Sequence, residues 1–214
     1  MVDIIRIEFQ FFSTVIADIL RALDGKSYGG AFTLSLCCID YMGVAMSTEK
    51  DKNTKQGFKK YLNTYLSKLN SYYAIHADYL YAIRCSLVHT YGHSEATKKL
   101  NFSPNIIFND PQGDFHFHHE KDSKKLFLSV HCFIADLIAS IYDFFRVNNN
   151  NQMELNNWFT SLYYHYYEGI AKETKETVER GYIIYGKIHT KLAIIDSVKD
   201  PLEISNQIRL ELDK

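Results

Sequence analysis

Arg84, His89 and Tyr91 put a permanent cation, an imidazole and a phenol within eight residues of this 214-residue chain. A guanidinium fork can hold two oxygens of a phosphate and favour a transition state richer in negative charge than the ground state. An imidazole, with an ordinary pKa of about 6.5, takes up and releases a proton near neutrality. Together the two groups supply proton transfer and stabilisation of developing negative charge.

The element that must carry these groups is a helix. Leu80, Ile83, Leu87 and Val88 recur at helical spacing through the stretch, so one face is predicted to be buried and the polar groups to stand on the rest. On a regular helix, positions five apart are turned by roughly 140° and separated by about 7.5 Å of rise. Arg84 and His89 therefore do not share a face, whereas Tyr91, seven positions from Arg84, falls nearly in line with it. One helix makes a poor two-residue site. Two copies related by a two-fold axis could bring Arg84 of one chain toward His89 of the other.

The stretch Arg84-Cys85-Ser86-Leu87-Val88-His89-Thr90-Tyr91 has the form Arg-x4-His-x-Tyr and follows an amphipathic run containing Tyr79-Leu80-Tyr81. In this it resembles the HEPN superfamily of small α-helical domains, closest to the toxin half of HEPN–nucleotidyltransferase toxin–antitoxin pairs. The resemblance implies a homodimer with its sites at the interface and a metal-independent endoribonuclease that leaves 2′,3′-cyclic phosphates and uses no cofactor. A toxin or phage-defence effector is the implied setting. Arg84 and His89 are then the catalytic residues, and Tyr91 assists by hydrogen bonding. In the toxin subgroup the matching Tyr is modified with adenylate by a separate antitoxin protein, which makes Tyr91 a control point. The family usually has Asn, Asp or His after the Arg to hold the imidazole. Cys85 stands there in this chain, and a thiol is a weaker donor. The alternative is a non-catalytic HEPN-like dimer that binds RNA, nucleotide or a protein partner, with Arg84 in a structural ion pair and His89 a satisfied core imidazole.

Composition narrows the classes. A net charge of −1 gives no global basic field, so any contact with RNA must come from a local patch. Only three prolines are present, which favours helices. Cys37, Cys38, Cys85 and Cys132 lie in apolar contexts without C-x-x-C spacing and read as reduced core thiols of a cytoplasmic protein, with no metal site. No basic leader precedes the first apolar run, and no uninterrupted apolar run is long enough to span a membrane.

Taken in order, residues 3 to 23 read as an amphipathic helix capped by Asp3 and stopped by Gly25. A second helix, from about Ala31 to Met46, is apolar almost all round and is expected to be the most buried. Asp40 interrupts it. A carboxylate facing a core needs a partner, and Arg84 is the attractive one; the plainer reading turns Asp40 to solvent. Residues 47 to 57 form a polar connector or helix start, whose lysines, with Lys59 and Lys60, either contact phosphate or are simply solvated. Helical periodicity then runs from Phe58 to about Tyr91, with a break near Ser67 to Ser71.

Asn105 to Phe108 and Phe115 to His118 flank a turn signal and read as a β-hairpin inserted in the helical domain. His116 and His118 would share a strand face, as metal ligands or, more plainly, as exposed histidines. Residues 124 to 147 form a strong helix, with His131 and Asp136 as surface or packing polars. The asparagine run from Asn148 marks a boundary. After it come an aromatic stripe, 158–167, suited to packing or to base stacking, and a short helix from Pro201. The expected fold is all-α: a HEPN-like helical bundle over 1–147 with an insertion at about 93–125 and a C-terminal helical extension, 148–214, packed on it.

Overall fold

The computed structural model describes residues 8, 11–46, 54–90, 103–107, 110, 113–120, 125–148 and 200–212. Asp3, Tyr91, Gly92, the asparagines after Asn148 and the aromatic stripe lie outside the described residues. The described chain is mainly helical, with one small sheet.

Helix α1 (Ala17–Asp24) follows a π-helical turn, Phe12–Ile16, and buries Ala17, Ile19 and Leu23. It stops at Gly25 as expected, yet Gly25 has an ordinary φ of −73°. Lys26 takes the left-handed conformation instead, at φ 58°, because Ser27 N–H turns back to donate to the Ala22 carbonyl at 2.8 Å.

Helix α2 (Tyr28–Ala45) buries Phe32, Leu36, Ile39 and Met42. Apolar all round, it still leaves a stripe uncovered: Leu34 is 41% and Val44 47% exposed. Helix α3 (Thr54–Thr64) starts inside the stretch read as a polar connector. It crosses α2 so closely that a Cβ added at Gly43 would lie 2.4 Å from the Gly57 carbonyl carbon. Lys60 Nζ donates to the Met46 carbonyl at 2.7 Å, satisfying an orphan acceptor at the end of α2. A 3-10 turn (Leu66–Lys68) and a single turn, α4 (Tyr72–Ile75), occupy the predicted break and lead into α5 (Ala77–Thr90).

The inserted sheet departs from expectation. Strand β1 (Ser103–Ile107) pairs in parallel with β3 (Lys125–Ser129), and β2 (His119–Glu120) pairs antiparallel with β3, giving the order β1-β3-β2. Residues 115–117 lie in a turn and 118 has no regular structure, so the stretch is not a strand. The Asp110 carboxylate accepts the backbone N–H groups of Gly113, Asp114 and Phe115 and winds the segment. Phe117 adopts φ 60° with its ring buried, while Phe115 is exposed. Residues 125–129, read as the start of a helix, alternate Leu126 and Leu128 inward and form the central strand.

Helix α6 (Val130–Asn148) is the true centre, with every residue from Val130 to Phe145 buried. The expectation that α2 would be the most buried helix fails because hydrophobicity does not decide what covers a face. Polar α6 side chains are buried through partners: Ser140 Oγ lies 2.9 Å from Tyr61 OH, and Asp143 takes Lys68 and Arg146 at 2.8 and 2.7 Å. Helix α7 (Pro201–Leu212) packs along α6, with Arg209 Nη1 3.6 Å from Cys132 Sγ. No described helix is long and apolar enough to cross a membrane.

Candidate functional site

Helix α5 carries the candidate groups. Tyr79, Leu80, Ala82, Ile83 and Ser86 are buried, so the arc through Asp78, Tyr81, Cys85, Val88 and His89 faces outward. Measured around an ideal helix from Tyr81, Arg84 leans about 60° to one side of this arc, and Asp78 and His89 lean roughly 60–80° to the other.

On its own side, Arg84 meets α2. Its Nη2 lies 2.5 Å from Asp40 Oδ2, with side-chain exposures of 19% and 11%. The bond is charge-assisted and short. Arg84 Nε and Asp40 Oδ1 are both buried with no hydrogen-bond partner among the described residues. Burial pushes the Asp40 carboxyl above the ordinary carboxylate value, and the Arg84 charge opposes that push. Cys37 stands one turn before Asp40. Burial raises its thiol, the guanidinium pulls it down and the carboxylate pushes it up. The pairing read for Asp40 is therefore formed.

His89 is different. It is exposed in the last turn of α5 beside Val88, which is 40% exposed. Among the described residues no hydrogen bond or ion pair joins it to Arg84 or to Cys85, which is half-buried. One chain thus brings Arg84 to Asp40 and leaves the imidazole on the other flank of the same helix, as the spacing requires. The reading of His89 as a satisfied core imidazole does not fit its exposure. Tyr91 lies outside the described residues.

Two further clusters have members that the sequence offers and partners that it does not. On the His89 flank, Lys55 Nζ and Lys59 Nζ from α3 each reach one oxygen of Asp78, at 3.0 and 2.7 Å. The hydrogen bonds from Lys59 and then Lys55 hold the Asp78 carboxyl below its ordinary range. The i, i+4 spacing of the lysines was legible; their partner, 19 residues beyond Lys59, was not.

The other cluster is buried. Tyr73 OH donates to Asp136 Oδ2 at 2.8 Å and lies 3.1 Å from His116 Nε2. His116 Nδ1 accepts the Ser129 N–H at 3.2 Å, which places the ring proton on Nε2. Ser205 of α7 donates to Asp136 Oδ1. His116 is therefore neither an exposed strand histidine nor a free ligand, and Asp136 is no surface residue at 7% exposure. No spacing announces this set, because its members come from four separate elements and the turn at 114–117. Among the described residues no group of three His, Cys, Asp or Glu side chains is placed to hold a metal ion.

No protein-family model, curated protein or solved structure matches this chain.

Proposed function

We propose that the chain is a metal-independent endoribonuclease of the HEPN type, working as a homodimer in which Arg84 of one copy and His89 of the other face the same phosphate. The observation that carries this reading is the division of α5: Arg84 is fixed by Asp40 on one flank, and His89 stands in solvent on the other, three to four turns of packed helix behind both. A fixed guanidinium loses little entropy when it takes up a phosphate. In the reaction, the imidazole removes the 2′-hydroxyl proton, O2′ attacks phosphorus, and the bond to the 5′ oxygen breaks. The leaving oxygen takes a proton from water. A 2′,3′-cyclic phosphate and a 5′-hydroxyl end result, while Arg84 neutralises the charge that builds on the phosphorane oxygens. A separate antitoxin protein acting at Tyr91 belongs to the same proposal, as does a cytoplasmic setting.

A second reading is favoured by the Asp40 contact itself. A guanidinium held in an ion pair, followed by Cys85 in place of a strong donor, fits a non-catalytic HEPN-like module that binds RNA, nucleotide or a protein. The two readings part in one assay. Purified protein is incubated with mixed single-stranded RNA in excess chelator, beside Arg84→Ala and His89→Ala. On the enzyme reading the wild type cleaves and both folded variants lose at least about a hundredfold in rate, within the usual range for general acid–base groups. Equal activity in all three would mean a contaminating nuclease and would remove the enzyme reading.

A further inference from the structure

We infer that α7 is a strap, which opens as a unit while the rest of the chain stays folded and closes over a polar pocket that is built without it. The inference does not rest on the ribonuclease reading. Helix α7 carries its own start. Pro201 takes the first helical position, where an absent N–H costs nothing, and the Asp200 carboxylate accepts the Leu202 N–H at 3.0 Å, a cap that moves with the helix. Its grip on the body is an apolar stripe, Ile204, Ile208 and Leu212 at i, i+4 and i+8, and of these three Ile204 alone is fully buried.

The polar contacts beside that stripe favour release. Ser205 Oγ donates to Asp136 Oδ1, and Arg209 Nη1 lies 3.6 Å from Cys132 Sγ. A carboxylate only 7% exposed, and a half-buried guanidinium set against a thiol, a weak acceptor, both regain hydration when α7 lifts. By contrast, every residue of α6 from Val130 to Phe145 is buried. A segment with so little buried apolar surface opens at a fraction of the global free energy.

What α7 covers does not depend on it. The Tyr73 hydroxyl bonds Asp136 Oδ2 at 2.8 Å, His116 Nε2 meets that hydroxyl at 3.1 Å, and the Ser129 N–H reaches His116 Nδ1 at 3.2 Å. These groups come from α4, the turn at 114–117, β3 and α6. Opening therefore frees one carboxylate oxygen and one thiol at the mouth of a pocket whose other members keep their partners. The Cys132 thiol is enclosed between Arg209 and the Gly113 turn, where an added Cβ would lie 2.6 Å from Sγ and 2.8 Å from Arg209 Nη1. A reagent reaches this thiol when α7 lifts, so Cys132 reports the opening.

The test follows the full chain by iodoacetamide labelling of Cys132 and by hydrogen exchange, both resolved by peptide mass spectrometry. Off the body a 12-residue helix is marginal, so its amides exchange. Cys132 and the α7 amides are expected to open together, with an equilibrium constant at least about a hundredfold larger than that of amides in the middle of α6. Ile39→Val, a truncation in the core of α2, weakens the body and not the strap. It should speed α6 exchange about two- to tenfold and leave Cys132 and α7 unchanged. Ser205→Ala removes a bond of the closed state and should speed Cys132 labelling and α7 exchange by about tenfold or more. The strap is overturned if α7 amides exchange no faster than those of α6, if Ile39→Val speeds Cys132 labelling as much as α6 exchange, or if Ser205→Ala labels at the wild-type rate.

Discussion

Arg84 Nη2 and Asp40 Oδ2 meet at 2.5 Å, and through this contact α2 fixes a cation that α5 carries. The pair is lopsided, since one carboxylate oxygen and the guanidinium Nε are buried with no hydrogen-bond partner among the described residues. A buried pair broken on one side usually costs 3–5 kcal/mol, whereas one replaced whole by apolar groups can be neutral. Partial exposure lowers the first figure here. Asp40→Asn is expected to destabilise by about 2 kcal/mol, and Asp40→Leu with Arg84→Met by less than about 1 kcal/mol, both measured by urea unfolding. The apolar pair should nevertheless abolish RNA cleavage. Retained cleavage in that stable double variant would remove Arg84 from the chemistry and leave the pair a role only in the fold.

The crossing of α2 and α3 makes a sharper stability prediction. Gly43→Ala must push the Gly57 backbone away from a 2.4 Å overlap, so a loss of about 3 kcal/mol, the upper end for overpacking, is expected. Gly29, also in α2, has nothing within 4 Å of its added Cβ. Gly29→Ala should stabilise by about 0.5–1 kcal/mol through helix propensity. Thermal unfolding of both variants decides, and a neutral Gly43→Ala would mean that the helices do not cross there.

Asp78 gives the pH dependence. Its folded pKa lies below the ordinary 3.8, so its pairing with Lys59 and Lys55 is fully present above that value and is lost as pH falls through the lower folded value. An NMR titration should place the Asp78 midpoint below 3.8 in the wild type and bring it back to the ordinary range in Lys55→Gln/Lys59→Gln. An unmoved midpoint between the two proteins would show that the lysines do not hold this carboxylate in solution.

The attachment of α7 rests on Ser205 and Asp136, with Tyr73 on the second carboxylate oxygen. Ser205→Ala removes one charge-assisted bond and should cost about 1.5–3 kcal/mol. Asp136→Ala should cost more, since it leaves Tyr73, His116 and Ser205 facing an empty site. Urea unfolding measures both, and limited proteolysis should show earlier cleavage near α7 in each. Wild-type stability in Asp136→Ala would contradict the buried network.

Much of the scaffold was legible because helical period survives translation into structure. The run through Phe133, Ile134 and Leu137 buries the face its spacing announces, whereas in the first helix Phe11 and Leu23 are buried as read but Ile16 and Ile19 take the core places expected of Val15 and Leu20. Asp40 was readable as a partner of Arg84 because a carboxylate in an apolar helix needs compensation. The sheet was not readable. Phe115-His116-Phe117-His118 alternates like a strand, but three N–H bonds to Asp110 won over the pattern. Pairing of β1 with β3 joins residues more than 20 positions apart, which no local signal encodes. The burial of His131 and Asp136 likewise depends on elements distant in sequence, α7 among them.

The central claim is that Arg84 and His89 act across two copies. Arg84→Ala and His89→Ala chains, each inactive alone, are mixed in equal amounts, allowed to exchange subunits and assayed on RNA in chelator. In mixed dimers one site receives both substitutions and the other neither, so half the dimers carry one intact site. Activity should return to about a quarter of the wild-type value. No recovery in a mixture shown by mass to contain the mixed dimer, or a protein that stays monomeric, would contradict the claim.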